Sequence, residues 1–163
     1  MNVNKYKPHI SVIPEDDANR QLVNGFLSHL GVTKQAAHVG TPTGGWKKVL
    51  EVFKCEYEPR LRNFQNAHVV LLIDFDEEVD RRLQFEASIP DELRSRVFVI
   101  GSFDEPETLR WQLKLPFEKI GLALAEECIG NKFELWKHEY LVHNDQELQR
   151  LIQTVKPILF QDN

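Results

Sequence analysis

Hydrophobic residues along the chain form short unbroken runs that alternate with segments of helical periodicity. The runs at residues 9–13, 67–73 and 97–100 predict strands, and a weaker strand is predicted at 35–39. The run at 67–73 is typical of a central parallel strand that is buried on both faces. The alternation predicts an α/β fold, a doubly wound three-layer sandwich with a mostly parallel sheet of about four strands and extra C-terminal helices.

Local signals predict where the helices begin and end. The first helix is capped by Asp16 or Asp17 and continues through Leu30. The last helix starts with a capping box at residues 144–147 and stops at Pro157. Further helices are predicted at 46–53, at 60–64 after a break or restart at Pro59, at 77–87, from Pro106, and from Phe117 to an end at residues 130–131.

Composition and charge narrow the class of protein. The 163 residues are enough for one domain that buries its core without staples. The net charge of −5 excludes a protein that coats nucleic acid or anionic membrane through bulk charge alone. The cysteines, Cys55 and Cys128, form no CxxC pair, which disfavours a disulfide scaffold and a zinc site. Because the sequence has neither a signal peptide nor an apolar run of roughly 20 residues, we expect a cytoplasmic protein without membrane contact.

Carboxylates follow three of the predicted strands at the point where each strand ends. The first strand leads into residues 15–17, the central strand into 74–78 and the last into 101–105. Ligands of open α/β sheets bind beyond the carboxyl ends of the strands, which makes these residues the candidate site. Acidic residues in such positions also cap helices, and we favour that role for Glu105 and Glu107.

Asp74 and Asp76 form the centre of the predicted site. Carboxylates at positions i and i+2 of a strand exit project to the same side and can share one hard cation. Glu15 would face this pair if the two strands are neighbours, with Asp16 or Asp17 as the alternative acidic group. Clustered like charges need neutralising, and Mg²⁺ (or Mn²⁺ in its place) is the natural candidate because it takes one or two carboxylates together with water and phosphate oxygens.

A glycine-rich loop at residues 40–45 is similar in spacing to a phosphate-binding loop. Trp46 stands where the nucleotide-binding motif requires lysine, so the loop is not a nucleotide P-loop. A turn at Gly44 and Gly45 that leads into a helix bearing Lys47 and Lys48 can still hold one phosphate. A tight turn with a packed Trp46 and two solvated lysines explains the same residues equally well.

Residues 136–144 are rich in chemically reactive side chains, including His138 and His143. The two histidines lie five positions apart and have no third ligand at zinc spacing. A zinc site is therefore disfavoured, and the sequence assigns this segment no role.

Glu15 after the first strand, followed by Asp74-x-Asp76 after the central strand, resembles the acidic constellation of the Toprim fold. Topoisomerases, bacterial primases and nucleases of the overcoming-lysogenization-defect class share that fold. The resemblance covers residues 8–115 and leaves 116–163 as a helical extension within a single domain. The turn before Trp46 is also similar to that of small stand-alone Toprim-like proteins of prokaryotes. The resemblance implies the strand order 2-1-3-4.

The same resemblance implies a function. Glu15 would act as general acid or base, while Asp74 and Asp76 would bind Mg²⁺ for phosphodiester chemistry. The expected protein is a nuclease or a nuclease subunit with nucleic acid as its partner. The resemblance also allows an ATPase or another protein as a further partner, and it allows homo-oligomers. Asp16 stands where the family commonly has glycine.

Two other classes of function remain open. The residues from Glu15 onward also resemble the start of a two-component receiver domain, with Asp74 as phosphoacceptor, Ser102 as switch hydroxyl and Lys114 as the conserved cation. Such a module would carry a phosphoryl group and cut nothing. A third interpretation keeps the fold and discards the chemistry, so that the acidic edge is only solvated and the protein is an interaction subunit.

Overall fold

Four parallel strands form the sheet within residues 3–160, the part of the chain described in this computed structural model. The strands are β1 (His9–Pro14), β2 (Ala37–Val39), β3 (Ala67–Leu72) and β4 (Val97–Ile100), in the order β2-β1-β3-β4. The predicted α/β class, parallel sheet and strand order are confirmed. β2 is shorter than predicted because the preceding residues, Lys34–Ala36, form a 3₁₀ turn.

Helices connect the strands and continue past the last one. In chain order they are α1 (Asp17–Leu27), α2 (Trp46–Val52), α3 (Glu58–Asn63), α4 (Arg81–Ser88), α5 (Pro106–Leu113), α6 (Phe117–Gly130), α7 (Asp145–Thr154) and α8 (Lys156–Leu159). Across residues 3–160, none of these helices combines the length and the apolarity needed to cross a membrane.

Alternate side chains of each strand enter two separate hydrophobic cores. On β4, Phe98 and Ile100 face the core that also contains Leu109 of α5 and residues of α6, α7 and α8. Val97 and Val99 face the opposite core, which is filled by residues of α2, α3 and α4. This two-residue alternation is the expected geometry of a strand that is buried on both faces. The predicted C-terminal extension therefore forms part of one core layer.

Two predicted helix ends are wrong. α1 ends at Leu27, because the backbone N–H and the hydroxyl of Ser28 both bond to carbonyls of the last turn, and Leu30 is fully exposed. α4 begins at Arg81 and not at residue 77. The φ angles of Asp76 and Glu77 are +48° and +58°, which a right-handed helix cannot contain.

The two prolines inside helical patterns lie in the first turns of helices. The prediction that Pro157 ends the last helix is wrong, because Pro157 lies in the first turn of α8. The helix restart predicted at Pro59 is confirmed, since Pro59 lies in the first turn of α3, which follows α2 through a π-helical turn at Phe53–Tyr57. The first turn of a helix tolerates proline, because its missing N–H would have no intrahelical acceptor there.

The capping box predicted for α7 is wrong, because its residues bind the exposed edge of β4 instead. Glu147 accepts a hydrogen bond from the backbone N–H of Val99 (3.2 Å). Asn144 accepts from the N–H of Gly101 (3.2 Å) and donates to the Gly101 carbonyl (2.8 Å). Arg82 donates to the carbonyl of Val99. These side chains satisfy the backbone groups that a fifth strand would otherwise pair with.

Candidate functional site

Glu15 lies directly after β1 with its side chain turned toward the end of β3. Its Oε2 accepts a hydrogen bond from the backbone N–H of Asp74 (2.8 Å). Its own backbone N–H continues the strand pairing by donating to the carbonyl of Leu72 (2.9 Å). Parallel pairing of β1 with β3 thus brings together two acidic residues that are 59 positions apart in the sequence.

Asn19, in the first turns of α1, joins two further carboxylates of the site. Its Nδ2 donates to Oδ1 of Asp74 (2.9 Å) and to Oδ1 of Asp16 (3.0 Å). Asp16 also caps α1 by accepting from the backbone N–H of Asn19 (2.8 Å). The Asn19 side chain is completely buried, and its Oδ1 has no hydrogen-bond partner among residues 3–160. The sequence analysis did not identify this residue.

Burial and like charge raise the pKa values of two carboxyls in the site. Desolvation is the largest cause for Asp74, whose pKa rises to about 8, and the charges of Asp16 and Glu15 add to it. The pKa of Glu15 is also raised, mainly by burial, although its hydrogen bond from Asp74 acts in the opposite direction. Both groups therefore favour the protonated form, or a bound cation, more than an exposed carboxylate does.

Asp76 differs from Asp74 in exposure and in partner. The side chain of Asp76 is 44% exposed, whereas Asp74 is only 6% exposed. Phe75 between them is buried in the core, as predicted. The strand rule that predicted a common direction for the two carboxylates does not apply to Asp76, because β3 has ended and Asp76 lies in a left-handed turn. Asp76 Oδ2 instead accepts a hydrogen bond from Nη1 of Arg81 (2.6 Å).

The glycine turn packs directly on the backbone of Glu15. The N–H of Gly44 donates to the Glu15 carbonyl (2.8 Å), and the φ angles of Gly44 and Gly45 are +88° and +152°, which favour glycine. Nζ of Lys48 lies 3.8 Å from the point that a Cβ on Gly44 would occupy. Trp46 is partly buried against Phe85 of α4. The turn is thus tied to Glu15 by a hydrogen bond, flanked by a cation and open to solvent at Gly44.

The remaining predicted residues lie at the edge of this arrangement or away from it. Lys47 is exposed, with Nζ 5.5 Å from the centroid of the Trp46 ring. Glu105 occupies the N-cap position of α5 without a capping hydrogen bond from its side chain, and Glu107 lies in the first turn, where a negative charge interacts favourably with the helix dipole. Within residues 3–160, neither forms a hydrogen bond or an ion pair with Glu15 or the aspartates.

Two other polar groups near the strand ends, one buried and one partly buried, border the site. Ser102, which the receiver interpretation predicted as the switch hydroxyl, lies two residues after the end of β4, and its Oγ has no hydrogen-bond partner among residues 3–160. His143 packs against Phe75 and Phe103, and its Nε2 donates to the Gly101 carbonyl (2.9 Å). Burial lowers the pKa of His143 to about 4. The segment at 136–144 therefore supports the wall of the site with a neutral histidine.

The described residues contain no group of three His, Cys, Asp or Glu side chains arranged to hold a metal ion. Comparison of the chain with protein-family models, curated proteins and solved structures finds no match. The chemistry of the residues around Glu15 and Asp74 is therefore the only basis for assigning a function, and the resemblance to the Toprim fold remains a prediction.

Proposed function

We propose that this protein catalyses phosphodiester chemistry on nucleic acid with the help of a divalent cation, as a nuclease or the nuclease subunit of an assembly. The observation that carries the proposal is the contact between the Glu15 carboxylate and the backbone N–H of Asp74 (2.8 Å). It joins a carboxylate with a raised pKa to an aspartate-rich turn at the carboxyl edge of the sheet, where ligands of such sheets bind.

The donor set fits Mg²⁺ or Mn²⁺. Carboxylate oxygens are the ligands that these hard cations prefer, and Mg²⁺ needs only one or two of them. The raised pKa of Asp74 reflects negative charge that a bound dication would offset. Asp74 and Asp76 would hold the ion, which would supply positive charge for a substrate phosphate. Asp76 would exchange part of its pairing with Arg81 for the ion.

Glu15 is the residue suited to move a proton. Its Oε2 accepts the Asp74 N–H, so that a proton on this carboxyl resides on Oε1. Because burial raises its pKa, more of Glu15 is protonated near neutral pH than an exposed glutamic acid would be. A protonated Glu15 can donate to a leaving oxygen, and the resulting carboxylate can accept a proton in a later step.

The glycine turn and its lysines are suited to position the phosphate. Gly44 and Gly45 bring the backbone close to Glu15, and Lys48 lies against the same turn. The ammonium groups of Lys47 and Lys48 offset part of the negative charge that a phosphodiester would meet at this acidic edge. A partner protein with a basic surface, such as an ATPase, or a second copy of the chain would extend this favourable field.

A cleavage assay with matched variants tests the proposal. Plasmid DNA, single-stranded DNA and RNA are incubated with the protein in Mg²⁺ or Mn²⁺. We expect cleavage that is lost in Glu15→Gln and in Asp76→Asn and retained in Asp17→Asn, because Asp17 lies beside the site but bonds only to exposed Arg20 and Gln21. Equal activity of the protein and its Glu15→Gln variant contradicts the proposal.

A receiver-like phosphoacceptor is the second candidate, and one observation favours it. Asp74 follows β3 and Ser102 follows the neighbouring β4, as the phosphoacceptor and the switch hydroxyl of such a module would. Lys114, however, ends α5 and does not follow a strand. Labelling by acetyl phosphate that is lost in Asp74→Ala, without any cleavage, would establish this candidate. Neither cleavage nor labelling would favour the interaction subunit.

A further inference from the structure

The guanidinium of Arg81 lies between the aspartates and the aromatic ring that follows the glycine turn. Only 9% of its side chain is exposed. Its Cζ lies 4.7 Å from the centroid of the Trp46 ring, a distance at which a cation is attracted to the indole face. Its Nη1 donates to Oδ2 of Asp76 (2.6 Å) and to the carbonyl of Asp74 (3.1 Å). The plane of the group is therefore fixed on two sides.

Both hydrogen bonds of the Arg81 side chain are donated by one nitrogen, Nη1. Its Nε is enclosed and has no partner among residues 3–160, and its Nη2 forms no hydrogen bond with these residues either. In a guanidinium, Nε–H and one N–H of Nη2 point the same way. This edge is the fork that binds two oxygens of a phosphate or carboxylate at once.

Arg82, the next residue, shows the contrasting arrangement. It uses Nη1 on the Val99 carbonyl and Nη2 on Asn144, and it lies near Glu147. The partners of Arg82 explain why it is buried. Those of Arg81 account for only one corner of its guanidinium and leave the bidentate edge unused.

We propose that Arg81 is a substrate-binding residue that holds a phosphate group through its Nε/Nη2 edge. The proposal rests on the proposed function and adds a residue that no sequence motif indicated. The ligand is an oxyanion because the edge offers only donors, and a phosphate because the adjoining carboxylates require a ligand that also accepts a divalent cation. Trp46 and Asp76 orient the guanidinium, so its rotational freedom is already restricted before the ligand arrives.

Nuclear magnetic resonance of the arginine side chains tests this inference directly. The ¹⁵Nε–¹Hε resonance of Arg81 is assigned by its loss in Arg81→Lys. It is then followed during titration with inorganic phosphate and with a single-stranded thymidine oligonucleotide, each in EDTA and in Mg²⁺. We expect a saturable shift with both probes. We also expect Arg81→Lys to weaken oligonucleotide binding about tenfold or more, because lysine keeps the charge and loses the fork.

Arg62→Lys is the matched control. Arg62 also pairs through its guanidinium with carboxylates, Glu58 and Glu92, but on an exposed surface of α3. We expect the binding of both probes to Arg62→Lys to be unchanged. An Arg81 resonance that neither probe shifts overturns the inference. If Arg81→Lys fails to fold, the resonance is identified instead by sequential assignment from the Arg81 backbone in the unmodified protein, and the same outcome applies.

The inference and the proposed function fail in different ways. If the protein cleaves nucleic acid in a metal-dependent way but neither probe shifts the Arg81 resonance, Arg81 is not a phosphate-binding residue. The nuclease assignment is then unaffected. A phosphate-induced shift in a protein that neither binds nor cleaves nucleic acid supports the Arg81 site and contradicts the nuclease assignment.

Discussion

Replacing Asp74 by asparagine should stabilise the metal-free protein, and the gain should grow with pH. Asp74 is buried beside Glu15 and Asp16, and its pKa rises from 3.8 to about 8 on folding. A raised pKa means that the folded state binds the proton more tightly than the unfolded state. Protonation of Asp74 therefore adds its full contribution to the free energy of unfolding below pH 3.8, and this contribution is lost as the pH rises to about 8.

The size of the pKa shift of Asp74 sets the scale of the stabilisation. A change from 3.8 to about 8 would correspond to roughly 6 kcal/mol if it were expressed in full. We expect about half, on the order of 3 kcal/mol at pH 8.5, because Glu15 takes up protons when Asp74 does not and so relieves part of the repulsion. The asparagine carbonyl can still accept the hydrogen bond from Asn19, so the substitution removes charge with little loss of bonding.

Urea unfolding in EDTA at several pH values between 5 and 8.5 measures this gain. The difference in free energy of unfolding between Asp74→Asn and the unmodified protein should increase steadily over that range. Asp17→Asn is the control: its hydrogen bonds from Arg20 and Gln21 lower the pKa of Asp17, so its replacement should bring no such gain. A stability difference for Asp74→Asn that is independent of pH, or a loss at pH 8.5, would refute the reasoning.

Three further substitutions or titrations test the walls of the site. Gly101→Ala should lower the free energy of unfolding by about 3 kcal/mol or more, because a Cβ there would lie 1.7 Å from the carbonyl oxygen of Ile73. Thermal unfolding of the variant and the unmodified protein measures this loss. Asn144→Ala should cost about 2 kcal/mol in urea unfolding, because it leaves the backbone N–H of Gly101 without a partner and removes one of the two donors to the Gly101 carbonyl, the other being His143. A cost below about 1 kcal/mol would contradict the role of Asn144 at the β4 edge. The imidazole of His143, with a pKa of about 4, should show constant chemical shifts from pH 6 to 8 and titrate only below; a midpoint near 6.5 would contradict its burial against Phe75.

The strands could be predicted because each is marked by its own local pattern, whereas their order was implied only by the resemblance to the Toprim fold. The aliphatic run of β3 needed no tertiary information, and parallel pairing then placed the residues after β1 and β3 side by side. The sequence, with that resemblance, therefore predicted that Glu15 and Asp74 lie next to each other in the folded protein.

The predictions that were wrong depended on contacts between distant parts of the chain. Residues 144–147 have the local form of a capping box, but pairing with the open edge of β4 stabilises them more than the cap does. Asn19 and Arg81 could not be found by motif, because their roles follow from the packing of α1 and from the left-handed turn at Asp76.

Binding of Mn²⁺, followed by electron paramagnetic resonance, tests most directly whether the carboxyl edge of the sheet is a divalent-cation site. The account predicts one bound ion per chain in the unmodified protein and in Asp17→Asn, and none in the double variant Asp74→Asn/Asp76→Asn. Mg²⁺ should displace the bound Mn²⁺. Absence of binding in the unmodified protein, or equal binding by the double variant, would contradict the account.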